Sequence, residues 1–294
     1  LESGKEFYIG EIFMLVFVTA VKNPVNSKSY DQVWRLLNNT LFSVCSQQDT
    51  NFRVIVVCDK KLPLFHHEEL IESYTEFIEV NFPGHGQEVI KNFNRLGNLS
   101  SLIENPELWN PKGWNKPRKK PLPQKDAAPK KTKRIYRKTE RLFATPPANR
   151  KARQNYMSED QAKLMANYAI NRGSKQVISI LAAKKYNPEY VLFFDADDYV
   201  GDVISAYVNA RPGENGWLMA HGYKMAGHLV APLHVTTTFC GTGNIVNFSL
   251  LLDDIPPQVS ENSTQNELLE KVDSEFLITL ARHGKFKSYY EMKG

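Results

Sequence analysis

The stretch Val191-Leu192-Phe193-Phe194-Asp195-Ala196-Asp197-Asp198 decides how this chain is read. Four apolar residues in a row, entered from Tyr190, fit a strand buried on both faces, the pattern of an interior strand in a parallel sheet. A buried strand cannot tolerate ionised carboxylates, so the acids that follow emerge at the sheet's carboxyl edge. Open α/β sheets bind their ligands at that edge. Alternation sends Asp195 and Asp197 to one side, where two carboxylates can hold a hard divalent cation, Mg²⁺ or Mn²⁺, together with phosphate oxygens. An acidic turn that merely ends a strand is the plainer alternative.

Outward from this stretch, strand and helix signals alternate. Residues 12–19 read as a first strand, 30–47 as a helix and 52–57 as a second strand. A short helix over 70–77 and a third strand over 78–82 follow. Further on, Ser158 and Gln161 fit a capping box opening a helix that Gly173 stops. A second helix over 174–186 then leads into the strand 190–194. Residues 217–220 and 235–239 add strands, and a final helix covers about 265–283. The expected fold is α/β: a Rossmann-like, mainly parallel central sheet with helices on both faces, and a mixed C-terminal half.

Composition bounds the rest. The 294 residues are 42% hydrophobic and 23% charged, the balance of a folded globule, which excludes wholesale disorder. No apolar run approaches the roughly 20 residues that cross a bilayer. Three cysteines without a CxxC pair exclude a disulfide framework and a cysteine-based zinc site, and Cys45 and Cys58 read as small buried hydrophobes. No Walker loop, HExxH or GxSxG occurs, which removes kinase-like, zinc-protease and α/β-hydrolase readings.

The net charge of +5 is unevenly distributed. Residues 112–153 hold 16 Lys/Arg against two acids, Asp126 and Glu140, so this segment carries +14. The remainder, with 21 basic and 30 acidic residues, carries −9. Eight prolines between Pro106 and Pro147 block both helix and central strand. Residues 105–150 therefore read as an extended insertion, either a solvated loop or a patch for an anionic membrane or polyanionic acceptor. Without regular aromatic interleaving, a nucleic-acid partner is disfavoured. The expected location is cytoplasmic, with peripheral membrane contact through the insert.

Other candidate residues are more ambiguous. Asp59 ends Val54-Ile55-Val56-Val57-Cys58-Asp59 as Asp195 ends its own strand, and its carboxylate suits a base or ribose. Lys163 lies near the start of a helix whose other face is apolar, and can serve a diphosphate or simply be solvated. On a continuous final helix, Asp273 falls within about 40° of the face of Leu269, Phe276 and Leu280, while Glu275 falls opposite. That places Asp273 against the body, where it can act as a base. A helix-dipole role is the alternative. His221 and Gly241 are candidates for an acceptor pocket, and a surface histidine and a tight turn explain them equally well.

In combination, Asn51 to Asp59, Lys163, the Asp195–Asp198 run and Val272-Asp273-Ser274-Glu275 resemble the GT-A glycosyltransferases of the family-2 type. The resemblance covers roughly residues 12–97 and 154–290, and the basic insertion has no counterpart in it. It implies a metal-dependent, inverting transfer of a sugar from a nucleotide-diphosphate donor, a UDP-sugar above others, to a glycan or lipid-linked acceptor. By that resemblance Thr19, Asp59, Lys163 and Asp195 hold the donor, Asp195 and Asp197 the Mn²⁺ or Mg²⁺, and Asp273 deprotonates the acceptor. Valine at 272 replaces the family's usual glutamate. One domain, 1–294, would then have a nucleotide-binding half over about 11–200 and an acceptor-binding half over about 201–294. A sugar-nucleotide pyrophosphorylase shares the sheet and carboxylates but needs a glycine-rich loop, which Thr19-Ala20-Val21-Lys22-Asn23-Pro24 is not. A nucleic-acid- or membrane-binding module led by the insert is the remaining alternative.

Overall fold

The computed structural model describes residues 14–83, 159–219, 221–226, 229–234 and 242–281, and the basic insertion lies outside them. Six strands form the main sheet: β1 (Leu15–Ala20), β2 (Phe52–Cys58), β3 (Thr75–Glu79), β4 (Tyr190–Phe193), β5 (Gly216–Leu218) and β8 (Asn244–Asn247). Their order is β3-β2-β1-β4-β8-β5. The pairs β1–β2, β1–β4 and β2–β3 are parallel, and β8 runs antiparallel to both β4 and β5. Strands β6 (His221–Ala226) and β7 (Leu229–His234) form a separate antiparallel ribbon. The expected α/β architecture is the one observed.

Why these segments form strands is plain from burial. Leu15 to Val18, Val54 to Cys58 and Tyr190 to Phe193 are fully enclosed, so helices must cover both faces. On one face lie α1 (Tyr30–Cys45), α2 (Glu68–Tyr74) and α4 (Ile204–Asn209). Helix α1 starts at Ser29, whose side chain accepts the Gln32 N–H, and buries Trp34, Leu37, Leu41 and Val44 at helical spacing. Each such buried side chain is worth about 1.5–3 kcal/mol relative to exposure. The other face holds α3 (Glu159–Ala183), then α6 (Gln265–Lys271) and α7 (Ser274–Ala281). Short α5 (Phe248–Leu252) follows β8.

Four local expectations are corrected. The helix expected to stop at Gly173 runs unbroken for 25 residues. Gly173 is there because α7 crosses it: a Cβ at this position would sit 2.0 Å from the Leu277 carbonyl oxygen. The glycine serves close backbone approach. The final helix, by contrast, is two, with Val272 and Asp273 between α6 and α7. Helix α2 ends earlier than expected because Thr75 to Glu79 pair with Val54 to Cys58. Strand β8 went unanticipated, since Asn244-Ile245-Val246-Asn247 offers only two apolar residues. The expected strand 235–239 lies outside the described residues.

Candidate active site

The chain builds β1, β2 and β3 outward in one direction and then returns to place β4 on the other side of β1. Strand order thus reverses between β1 and β4, and the crevice at the carboxyl ends of strands flanking such a reversal is the ligand site of open α/β sheets. Asp59 follows the last residue of β2, and Asp195 lies two residues beyond β4. Two of the carboxylates picked from sequence therefore sit along one edge.

Helix α3 brings two cations to that edge. Arg172 and Lys175 are three residues apart, so they share a face about one turn from each other. Lys175, wholly enclosed, forms an ion pair with Asp59 Oδ2 and donates a second hydrogen bond to the Val21 carbonyl at 2.8 Å. Burial pushes its ammonium below the usual lysine value, and the Asp59 charge opposes that. Asp59 Oδ1 is also enclosed and receives no hydrogen bond among the described residues. Arg172 pairs with Asp195 Oδ1.

The acidic turn is held from several sides. The Phe194 N–H donates to the Val18 carbonyl at 3.1 Å, extending the β4 ladder past its last strand residue. The Thr242 hydroxyl accepts the Asp195 N–H at 2.8 Å and donates to Asp198 Oδ2 at 2.6 Å. From α1, Thr40 Oγ1 donates to the Ala196 carbonyl at 3.1 Å and Ser43 Oγ accepts the Val200 N–H at 3.1 Å. Gln47, just past α1, ties down the Gly201 carbonyl and the Ser205 N–H. Asp197 reaches the surface, yet partial loss of hydration and then the charges of Asp198 and Asp195 raise its carboxyl above the usual aspartate value.

Carboxylate oxygens are the donors that a hard divalent cation takes. Burial first, and then the charges of Asp198 and Asp195, raise the affinity of Asp197 for a proton, and a cation would relieve the charge part of that. Among the described residues no three His, Cys, Asp or Glu side chains group to hold a metal by themselves. The protein would therefore supply one or two carboxylates, with phosphate and water completing the shell, as Mg²⁺ sites commonly do.

Thr19, Lys163, Asp273, His221 and Gly241 are the remaining candidates. Thr19 is 1% exposed, and by alternation from Leu15 and Phe17 its side chain takes the α1 face of β1, away from α3. Its hydroxyl, expected to hold the donor, is thus enclosed in this structure. Lys163 is in α3, about 14 Å ahead of Arg172 along the helix axis, and Arg172 is a cation that pairs with Asp195. Asp273 is exposed at the break between helices, correcting the inward orientation expected of a continuous helix. Its carbonyl accepts the Leu277 N–H at 3.0 Å, the position of an N-cap residue. Its charge contributes to raising the Asp254 carboxyl, after burial and Asp253. His221 is exposed on β6 opposite His234, and Gly241 lies outside the described residues.

Arg172, Lys175 and Thr242 were missed by sequence reasoning. A signal existed for the first two: basic residues at i and i+3 inside Ala169-Ile170-Asn171-Arg172-Gly173-Ser174-Lys175-Gln176-Val177, a helix stretch otherwise without charge. Thr242 had none, because its role depends on the unanticipated β8.

No family model and no curated protein matches the chain. Among solved structures it is similar to residues 1–349 of TarS of S. aureus, at 12% identity and a TM-score of 0.33, over 90% of this chain. The chain spans 55% of that chain's length. A likeness this distant carries no argument about activity.

Proposed function

We propose that this chain is a glycosyltransferase that binds a nucleotide-diphosphate sugar across the carboxyl edge of β2, β1 and β4. The carrying observation is the meeting of Asp59 and the Asp195–Asp198 turn at the edge where strand order reverses. In this reading Asp59 receives the nucleoside and Arg172 lies beside the diphosphate. Asp195 and Asp197 would hold Mn²⁺ or Mg²⁺, which when bound neutralises charge on the departing diphosphate. Asp273 would accept the acceptor hydroxyl's proton on a carboxylate oxygen as that hydroxyl attacks the anomeric carbon from the face opposite the diphosphate, inverting the configuration. A glycan or lipid-linked acceptor, with the basic insertion against an anionic membrane surface, completes the proposal.

The test is calorimetric titration of nucleoside diphosphates with and without Mn²⁺, followed by Mn²⁺-dependent release of UDP from UDP-sugars. Metal-dependent binding and release support the reading. Tight, salt-sensitive binding of DNA with no nucleoside-diphosphate binding would replace it with the module reading.

A further inference from the structure

Asp59 uses its two carboxylate oxygens unequally. Oδ2 is held by Lys175, whereas Oδ1 is enclosed and accepts no hydrogen bond among the described residues. An enclosed acceptor without a donor is costly to a folded protein, so something must hold Asp59 in this rotamer against that cost. The Asp59 side chain retains 10% exposure, so it stands at the rim of the edge and not in the sealed core.

Lys175 is the unusual member of the pair. It is 0% exposed, and lysine is almost never fully buried without a dedicated partner. Its ammonium is fixed at two points from different strands, Asp59 Oδ2 after β2 and the Val21 carbonyl after β1. Val21 is itself tied to β2, its N–H donating to the Val57 carbonyl at 2.9 Å. A cation so anchored cannot follow the carboxylate if it rotates, so it sets the carboxylate's rotamer. With Oδ2 on Lys175 and Oδ1 enclosed, the carboxylate is not free to turn and grip two adjacent donors at once.

Resting on the nucleotide reading above, we infer that Lys175 is the positioning residue of the nucleoside pocket, holding the Asp59 carboxylate in one orientation at the rim of the edge, where it meets a single N–H or O–H donor. The imide N–H of a uracil and a ribose hydroxyl are donors of this kind. Lys175 touches no substrate in this arrangement and acts only through Asp59.

The test titrates UDP, with Mn²⁺, into the wild-type protein, Lys175→Met, Asp59→Asn and the double variant, and records a thermal melt of each. Methionine keeps the length of the lysine stem without the charge. Lys175→Met is expected to weaken UDP binding about 10- to 100-fold, and Asp59→Asn by a similar factor, the scale of one charged hydrogen bond. The double variant should bind no worse than the weaker single variant, because both changes remove the same contact. A Lys175→Met protein that melts lower but binds UDP within about twofold of wild type overturns the inference, as does a double variant in which the two losses multiply. If Lys175→Met alone does not fold, the double variant, which removes both charges, is compared with Asp59→Asn: equal affinity supports the inference and a further loss overturns it. A wild-type protein that binds no nucleoside diphosphate overturns the glycosyltransferase reading itself, and this inference with it.

Discussion

The ammonium of Lys175 lies against the carboxylate of Asp59, joining the third helix to the end of the second strand from wholly inside the protein. One turn earlier, Arg172 does the same for Asp195 at the end of β4. The two acids that stand out most in the sequence are thus each matched by a cation from a single helix. Asp197, raised first by burial and then by the charges of Asp198 and Asp195, is where added positive charge has most to relieve.

Asp197→Asn should abolish Mn²⁺-dependent binding of a nucleoside diphosphate and raise stability at neutral pH. The folded protein raises this carboxyl above the value of 3.8, so it favours the protonated form. Wild-type stability is then eroded as pH climbs from about 4 through the folded-state value, where the group ionises among like charges. Asparagine removes that erosion. Melting curves from pH 3.5 to 7.5 should show the variant's advantage vanish at the acid end, and a variant less stable at pH 7 would refute the electrostatic account.

Arg172→Gln separates the two cations that can meet the phosphates. Loss of the guanidinium lifts repulsion at Asp195, so Mn²⁺ alone should bind about three- to tenfold more tightly. Binding of UDP without metal should weaken about tenfold, because a charged donor is lost. Calorimetry with metal alone and nucleotide alone checks both, and equal changes in the two titrations would contradict the arrangement.

Gly173→Ala tests the helix crossing. In an exposed helix this change would stabilise by about 1 kcal/mol, since alanine is the better helix former. Here the new methyl group meets the Leu277 carbonyl at 2.0 Å, so α3 and α7 must separate, at an expected cost of about 1–3 kcal/mol. The sign of the shift in denaturation midpoint decides whether the contact exists.

Asp273→Asn and Glu275→Gln distinguish a base from a helix cap. With donor saturating, Asp273→Asn should lower turnover about 10²- to 10⁴-fold and leave donor binding intact, while Glu275→Gln should change little. If Asp273→Asn is fully active and only melts lower, the residue is an N-cap and the base lies elsewhere.

Much of the sheet was legible because its strands are enclosed on both faces and carry unbroken apolar runs, as β1, β2 and β4 do. Asp59 and Asp195 were legible for the same reason, since a charge directly after such a run must fall at the edge. What failed depended on contacts between distant segments. Gly173 looks like a helix stop until Leu277 is known to lie on it, and the break at Asp273 follows no glycine or proline. Lys175 resembles any helix lysine until its partner 116 residues away is found. Helical-face arithmetic for Asp273 assumed an unbroken helix, and one interruption was enough to turn the side chain to solvent.

Strand β8 alone opposes its neighbours, so the chain enters it at the edge where β4 ends. Thr242, two residues before β8, is delivered to the Asp195–Asp198 turn by that reversal without a further crossover helix. Its single hydroxyl therefore couples the turn to the entry of β8, so that the seating of one threonine fixes where Asp195 and Asp198 stand relative to the sheet.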